Sequence, residues 1–248
     1  MKKSFALILI IIIGVVSAQT VNTKRLIDVP SSFTLNRAEI ELGGRLYSPD
    51  AMMGDVNIGI FNGFFIGVSY GGSGMIGRIE PEWNGNPGVR AHFLMFKEDY
   101  YYPNLAVGFD SQGTGVWNTS ADRYQMLSKG FYFVMSKNFF VSKGKLGTLG
   151  LHLGTNYCVT EDNDDNLNLY LGIDKSIVKS LNILAEYDAA LNDDIIRKNE
   201  SEGFLNLGVR YTFNEILSLE IDFKDVLNNY KYESNFGREL RLMYKTSF

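Results

Sequence analysis

What this sequence lacks narrows it first. One cysteine among 248 residues excludes a disulfide scaffold, and two histidines leave no material for a histidine-rich metal site. Basic residues do not outnumber acidic ones: 24 stand against 28, for a formal charge of -4. Without a cationic excess to hold a phosphate backbone, nucleic acid is not an expected partner. Beyond the amino terminus no apolar run approaches the roughly 18 residues that a membrane-spanning helix needs. Glycine, by contrast, is plentiful at 25 residues and weakens any helical bundle.

The chain opens like a secretory leader. Met1, Lys2 and Lys3 form a positive start, Phe5 to Val16 an apolar stretch, and Val16-Ser17-Ala18 a small-residue cleavage site. Cleavage is expected before Gln19, with residues 1–18 as signal peptide; no cysteine stands there to make a lipoprotein.

From Thr34 onward apolar residues recur with period two, the signature of half-buried strands. Ile40-Leu42-Leu46, Val56-Ile58-Ile60, Leu149-Leu151-Leu153, Leu217-Leu219-Ile221-Phe223 and Leu240-Leu242-Tyr244 are examples, and Asn62-Gly63 marks a tight hairpin. The apolar stripes carry no charge. The opposite faces carry Asp110, His152, Asp174, Glu186, Asp188, Arg210, Glu220, Asp222 and Arg241.

Alternation alone also suits a soluble β-sandwich, so three further features decide. Long and short connections take turns, as in barrels with short periplasmic turns and longer extracellular loops. Aromatics gather at strand ends, with Tyr100, Tyr101, Tyr102, Phe139, Phe140 and Phe213 toward the short turns and Tyr70, Tyr157 and Tyr187 toward the long loops. The last strand ends on Phe248, with Tyr244 before it, and resembles the carboxy-terminal assembly signal of outer-membrane proteins. In hydrocarbon every backbone polar group must be paired, so an open sheet cannot span and a closed one can. The expectation is an all-β, antiparallel, up-and-down transmembrane β-barrel over residues 34–248, with about twelve strands (roughly ten to fourteen). It belongs in the outer membrane of a Gram-negative-type bacterium, with lipid and the barrel assembly machinery as partners. Residues 19–33 form either a loose periplasmic lead-in or a small plug.

Candidate residues fall into two sets. Asp110, His152, Glu186, Asp188, Arg210, Glu220, Asp222 and Arg241 are expected to line the lumen, where charge tunes a pore. Trp83, Trp117 and Tyr124, in long loops, have rings suited to stacking on sugar. The run Glu161 to Asn166 is rich in oxygen ligands but lacks the glycine and spacing of an EF-hand. No serine is recognisably placed to serve His152 as nucleophile, and Glu186 with Asp188 reads as part of a charge network. The chain is therefore expected not to be an enzyme, with no catalytic residues, cofactor or metal.

The phrases Gly108-Phe-Asp-Ser-Gln-Gly113, Ser128-Lys-Gly-Phe-Tyr132 with Ser136-Lys137, Ala185-Glu-Tyr-Asp-Ala189 and Arg238-Glu-Leu-Arg241 together resemble the YjbH-like outer-membrane barrels. That resemblance implies a link to exopolysaccharide and supplies no mechanism. The leading expectation is a narrow pore or accessory component for exopolysaccharide or small polar solutes. The alternative is a structural barrel whose loops contact glycan or a partner.

Overall fold

The structure, a computed structural model, describes residues 23–48, 50–75, 80–144, 146–161, 165–199, 202–232 and 237–248. The expected leader and cleavage point, the start of the lead-in, and Asp162, Asn163 and Asp164 of the acidic run lie outside the described residues.

Among the described residues the strands are β1 (Glu39–Tyr47), β2 (Ala51–Phe61), β3 (Phe64–Ser73), β4 (Glu82–Trp83), β5 (Gly88–Phe96), β6 (Asn104–Asp110), β7 (Thr114–Asn118), β8 (Arg123–Met126), β9 (Gly130–Phe140), β10 (Thr148–Tyr157), β11 (Asn168–Val178), β12 (Leu181–Asp188), β13 (Phe204–Phe213), β14 (Leu217–Phe223) and β15 (Arg238–Ser247). Twelve of them form a closed antiparallel barrel in sequence order. The seam joins β1 to β15, from Glu39 opposite Ser247 to Tyr47 opposite Glu239. β4 is a short addition to the edge of β3, and β7 and β8 make a separate hairpin in the long loop between β6 and β9.

Burial runs opposite to that of a soluble protein. Leu153 is 49% exposed while its neighbour His152 is fully buried, and Leu219 and Ile221 are exposed around a buried Glu220. Leucines and phenylalanines on the outside of a closed sheet are stable against lipid tails, and the barrel leaves no central edge unpaired. The apolar stripes do not pack against a second sheet; the interior is lined by polar wall residues and partly occupied by the lead-in.

The first outer connection is shorter than the sequence rhythm suggests. Gly54 and Asp55 interrupt the apolar pattern, but Met52 still points out and Met53 in, so β2 begins at Ala51 and only residues 48–50 join it to β1. At the opposite end Asn62-Gly63 turns β2 into β3, with Gly63 at φ 98°, a left-handed value that glycine adopts without strain. That end carries the short turns, the entry to β1 and Phe248, and is the periplasmic one.

Candidate functional site

The lumen contains a doubled-back segment of the lead-in. Arg25 bridges to Pro30, Leu26 N–H donates to the Val29 carbonyl at 3.0 Å, and Ser31 N–H donates to the Lys24 carbonyl at 3.0 Å. The tip therefore directs its remaining backbone groups outward, at the barrel wall. Leu26, Ile27 and Val29 are fully buried there. Leu26 and Val29 pack with Ala106, Tyr132, Val134 and Tyr170. Two inward positions on the wall are glycines for this reason. A side chain at Gly172 would collide with Leu26, and one at Gly208 would collide with the Asp222 carboxylate and press on Ile27 at 3.2 Å.

Wall charges satisfy the tip. The Glu186 carboxylate accepts N–H groups from Ile27 (3.1 Å), Asp28 (2.9 Å) and Val29 (3.0 Å), and the Asn206 amide at 2.7 Å. Three guanidiniums take the carbonyls: Arg210 donates to Leu26 (2.7 Å), Arg45 to Ile27 (2.8 Å) and Arg241 to Ile27 (2.5 Å). Asp28 is paired with Arg45 at 3.0 Å and with Lys224, and Arg25 is paired with Asp110. Such charge-assisted bonds are stronger than neutral ones, and leaving any of these buried groups unpaired is costly.

The eight lumen candidates are all buried, but they divide into groups. Asp110, Glu186, Arg210 and Arg241 touch the lead-in directly. Glu220 stands behind two of these, paired with Arg210 and, at 3.1 Å, with Arg241. Asp222 lies beside them; neither of its carboxylate oxygens makes a hydrogen bond among the described residues. Asp188 lies nearer the outer end, where it pairs with Lys129 and accepts the Asn168 amide at 2.7 Å. His152 belongs to a separate group with Ser136 and Asp174. Arg45, Asp28, Lys224 and Ser136 are not among the candidate site residues, although the alternation sets Arg45 and Lys224 on the polar faces of their strands. Strand parity places Arg45 and Ser136 on the inner face, but which groups meet depends on register.

A cavity of about 1530 Å³ reaches from the periplasmic turns to the lead-in. Its lining includes Glu41, Asp55, Arg90, Lys137 and Lys245 on the wall and Lys24, Arg25, Ser32 and Phe33 on the lead-in. The outer end is capped. The β7–β8 hairpin is tied down by Arg123, whose Nη1 donates to Asp193 at 3.0 Å, and by Glu161, which accepts the N–H groups of Tyr124 and Ser128, both at 2.9 Å. Burial pushes the Glu161 carboxyl up from its ordinary value, against the downward pull of those two donors. It also pushes the Tyr124 phenol up to about 12.

This cap changes the reading of the loop aromatics. Trp117 and Tyr124 are buried, edge to face at 4.7 Å, and the indole covers Gly85. Their faces are spent on holding the cap, so they are not available to a surface sugar. Trp83 is 55% exposed and stacks on Tyr70 at 5.6 Å. Tyr244 and Phe248 face outward at the periplasmic end of the last strand. In the acidic run Glu161 serves the hairpin and Asp165 accepts the Tyr157 hydroxyl at 3.1 Å. Among the described residues no group of acidic, histidine or cysteine side chains is placed to hold a metal ion.

No family model matches the sequence, and no curated protein matches it. Solved structures match by fold. The KdgM porin superposes with a TM-score of 0.51 at 12% identity, over 85% of this chain and 99% of that one. Omp33 of Acinetobacter baumannii superposes with a TM-score of 0.50 at 10% identity, over 85% of this chain and 98% of the other. These likenesses overturn the resemblance to YjbH-like barrels: the phrases that suggested it are short stretches of strand and turn, which any barrel with this alternation can carry. The fold is that of the small twelve-stranded porins of Gram-negative outer membranes.

Proposed function

We propose that this chain is a channel for small polar solutes across the outer membrane, closed at mid-depth by its own lead-in. The observation that carries this reading is the vestibule of about 1530 Å³, lined by charged side chains of both signs, that ends on residues 23–35. A wall built only for stability needs no such space, because eight-stranded barrels fill their interior with side chains and barrels of sixteen or more strands leave a water-filled channel. Twelve strands give an intermediate bore. The lead-in occupies it and acts as a plug, since the wall meets it with charge-assisted bonds rather than with a continuous apolar seal. Passage requires no bond-making step, and the fold likeness to the KdgM porin accords with a channel.

Planar-bilayer recording tests this. The full chain is expected to show rare, small openings. Glu186→Gln weakens the hold on Ile27, Asp28 and Val29 and is expected to raise the open fraction about tenfold or more, the equivalent of roughly 1.4 kcal/mol. Deletion of residues 19–33 is expected to lengthen the openings further, with the β7–β8 cap left as the remaining constriction. No conductance in any of the three would sink the channel reading.

A further inference from the structure

Antiparallel pairing places three residues of reactive chemistry side by side on the inner wall. Ser136 on β9 lies directly opposite His152 on β10. On the other flank β11 supplies Asp174, two residues along from the Gly172 that faces His152 and on the same inner face. The Ser136 hydroxyl is 2.8 Å from His152 Nδ1, and His152 Nε2 is 2.8 Å from Asp174 Oδ1. Ser136 and His152 are fully buried and Asp174 is 6% exposed. A carboxylate only accepts, so it fixes the ring proton on Nε2 and leaves the Nδ1 lone pair toward the serine. The ring nitrogens are used in the reverse of the usual order, but the chemical roles are complete: hydroxyl, base and orienting carboxylate.

The opposite side of the hydroxyl is also furnished. Ser32 N–H donates to Ser136 Oγ at 3.0 Å, and the Ser32 hydroxyl is fully buried without a hydrogen-bond partner among the described residues. Phe33 stands edge-on to His152 at 6.0 Å between ring centroids and shields it from water. Ser32 and Phe33 also line the vestibule, so a solute arriving there meets the residues that cover Ser136.

We propose that Ser136, His152 and Asp174 form a hydrolytic site for small carboxylic esters that enter the vestibule. The ester carbonyl displaces the Ser32 N–H from Ser136 Oγ. Ser136 Oγ bonds to the carbonyl carbon as its proton passes to His152 Nδ1. The Ser32 N–H and hydroxyl then lie where the developing oxyanion needs donors. Collapse breaks the bond to the alcohol oxygen, which leaves with the proton from His152 and yields an acyl-Ser136 ester. Water adds by the reverse proton path, releasing the carboxylic acid and restoring the serine. Asp174 touches no reacting atom; it positions the ring and stabilises its charged form. The same bonds tie Ser32 to the wall, so hydrolysis is coupled to a local shift of the lead-in. The proposal does not require the lumen to conduct.

The test uses the folded full chain in detergent with diisopropyl fluorophosphate as probe and p-nitrophenyl acetate as ester. The expected result is one phosphoryl adduct, mapped to Ser136, and slow ester turnover, both absent from Ser136→Ala. His152→Gln, with its barrel shown intact by heat-modifiable mobility, is expected to slow both reactions by about 10²–10⁴-fold, the usual yield of a general base. Asp174→Asn is expected to slow turnover and alter its pH profile, which a purely structural role would not do. An unlabelled Ser136 in the wild-type chain, or labelling of His152→Gln at the wild-type rate, overturns the proposal. Bilayer recording of the same preparation keeps this outcome separate from the fate of the channel reading.

Discussion

Asp99 organises the periplasmic turn between β5 and β6 with a single carboxylate. Its Oδ1 accepts the N–H groups of Tyr101 at 2.8 Å and Tyr102 at 2.7 Å, while Lys137 donates to the carbonyls of Tyr100 at 3.3 Å and Tyr102 at 3.2 Å. The N–H of Tyr102 and then that of Tyr101 hold the Asp99 carboxyl below the usual carboxylate range. A depressed folded value means that the turn gains stability from Asp99 above the ordinary carboxylate pKa and loses it as pH falls through the depressed one. Amide hydrogen exchange, normalised to intrinsic rates, is expected to show Tyr101 and Tyr102 protected at neutral pH and unprotected in strong acid. Asp99→Ala should remove the protection at every pH; an unchanged profile would show that the carboxylate does not order the turn. Residues of this kind are only half legible in a sequence. Parity identifies Glu186 and Arg210 as inward-facing, because a strand has only two faces. It does not reveal that Glu186 binds the backbone of Ile27, since that contact spans most of the chain and depends on where the lead-in settles. Parity turns both His152 and Ser136 inward, but that they stand directly opposite each other depends on the register between β9 and β10, which neither strand shows by itself.

At the scale of elements, the barrel strands were readable and the inserted pieces were not. Each barrel strand repeats a hydrophobic face over enough residues to establish its period. Thr114–Asn118 and Arg123–Met126 are too short for that, and their hairpin is held mainly by side chains from other loops. The lead-in has the same difficulty: Leu26, Ile27 and Val29 are apolar enough to be buried but too few to show what buries them. The hairpin yields a direct test. Arg123 donates through both terminal nitrogens to Asp193, and removing it takes this forked, charge-assisted pair from a buried carboxylate, at a cost of about 1.5–3 kcal/mol. Chymotrypsin cleavage near Trp117 and Tyr124 in Arg123→Ala is therefore expected to quicken about tenfold or more, with the barrel strands left intact. A cleavage rate equal to that of the parent chain would mean that the cap does not depend on this pair.

For the whole molecule, the governing fact is that the two faces of every strand see different solvents. That is why the architecture was legible before any contact was known: uncharged stripes on one face and carboxylates and guanidiniums on the other leave lipid outside and a polar interior. The total charge says little, because the ions are concentrated in the lumen, where they pair with each other and with the lead-in. The consequence is an asymmetry between adjacent residues. Leu153 projects outward near the middle of β10, so Leu153→Arg places a guanidinium in hydrocarbon at a cost of about 2–4 kcal/mol at the bilayer midplane. His152→Gln, one residue away on the luminal face, keeps a hydrogen-bonding side chain in a polar setting and is expected to cost clearly less. Denaturant titration in lipid vesicles, followed by tryptophan fluorescence and heat-modifiable mobility, measures both. Equal losses for the two variants would mean that the outer face of β10 does not meet lipid, and the assignment of inside and outside would have to be reversed or abandoned.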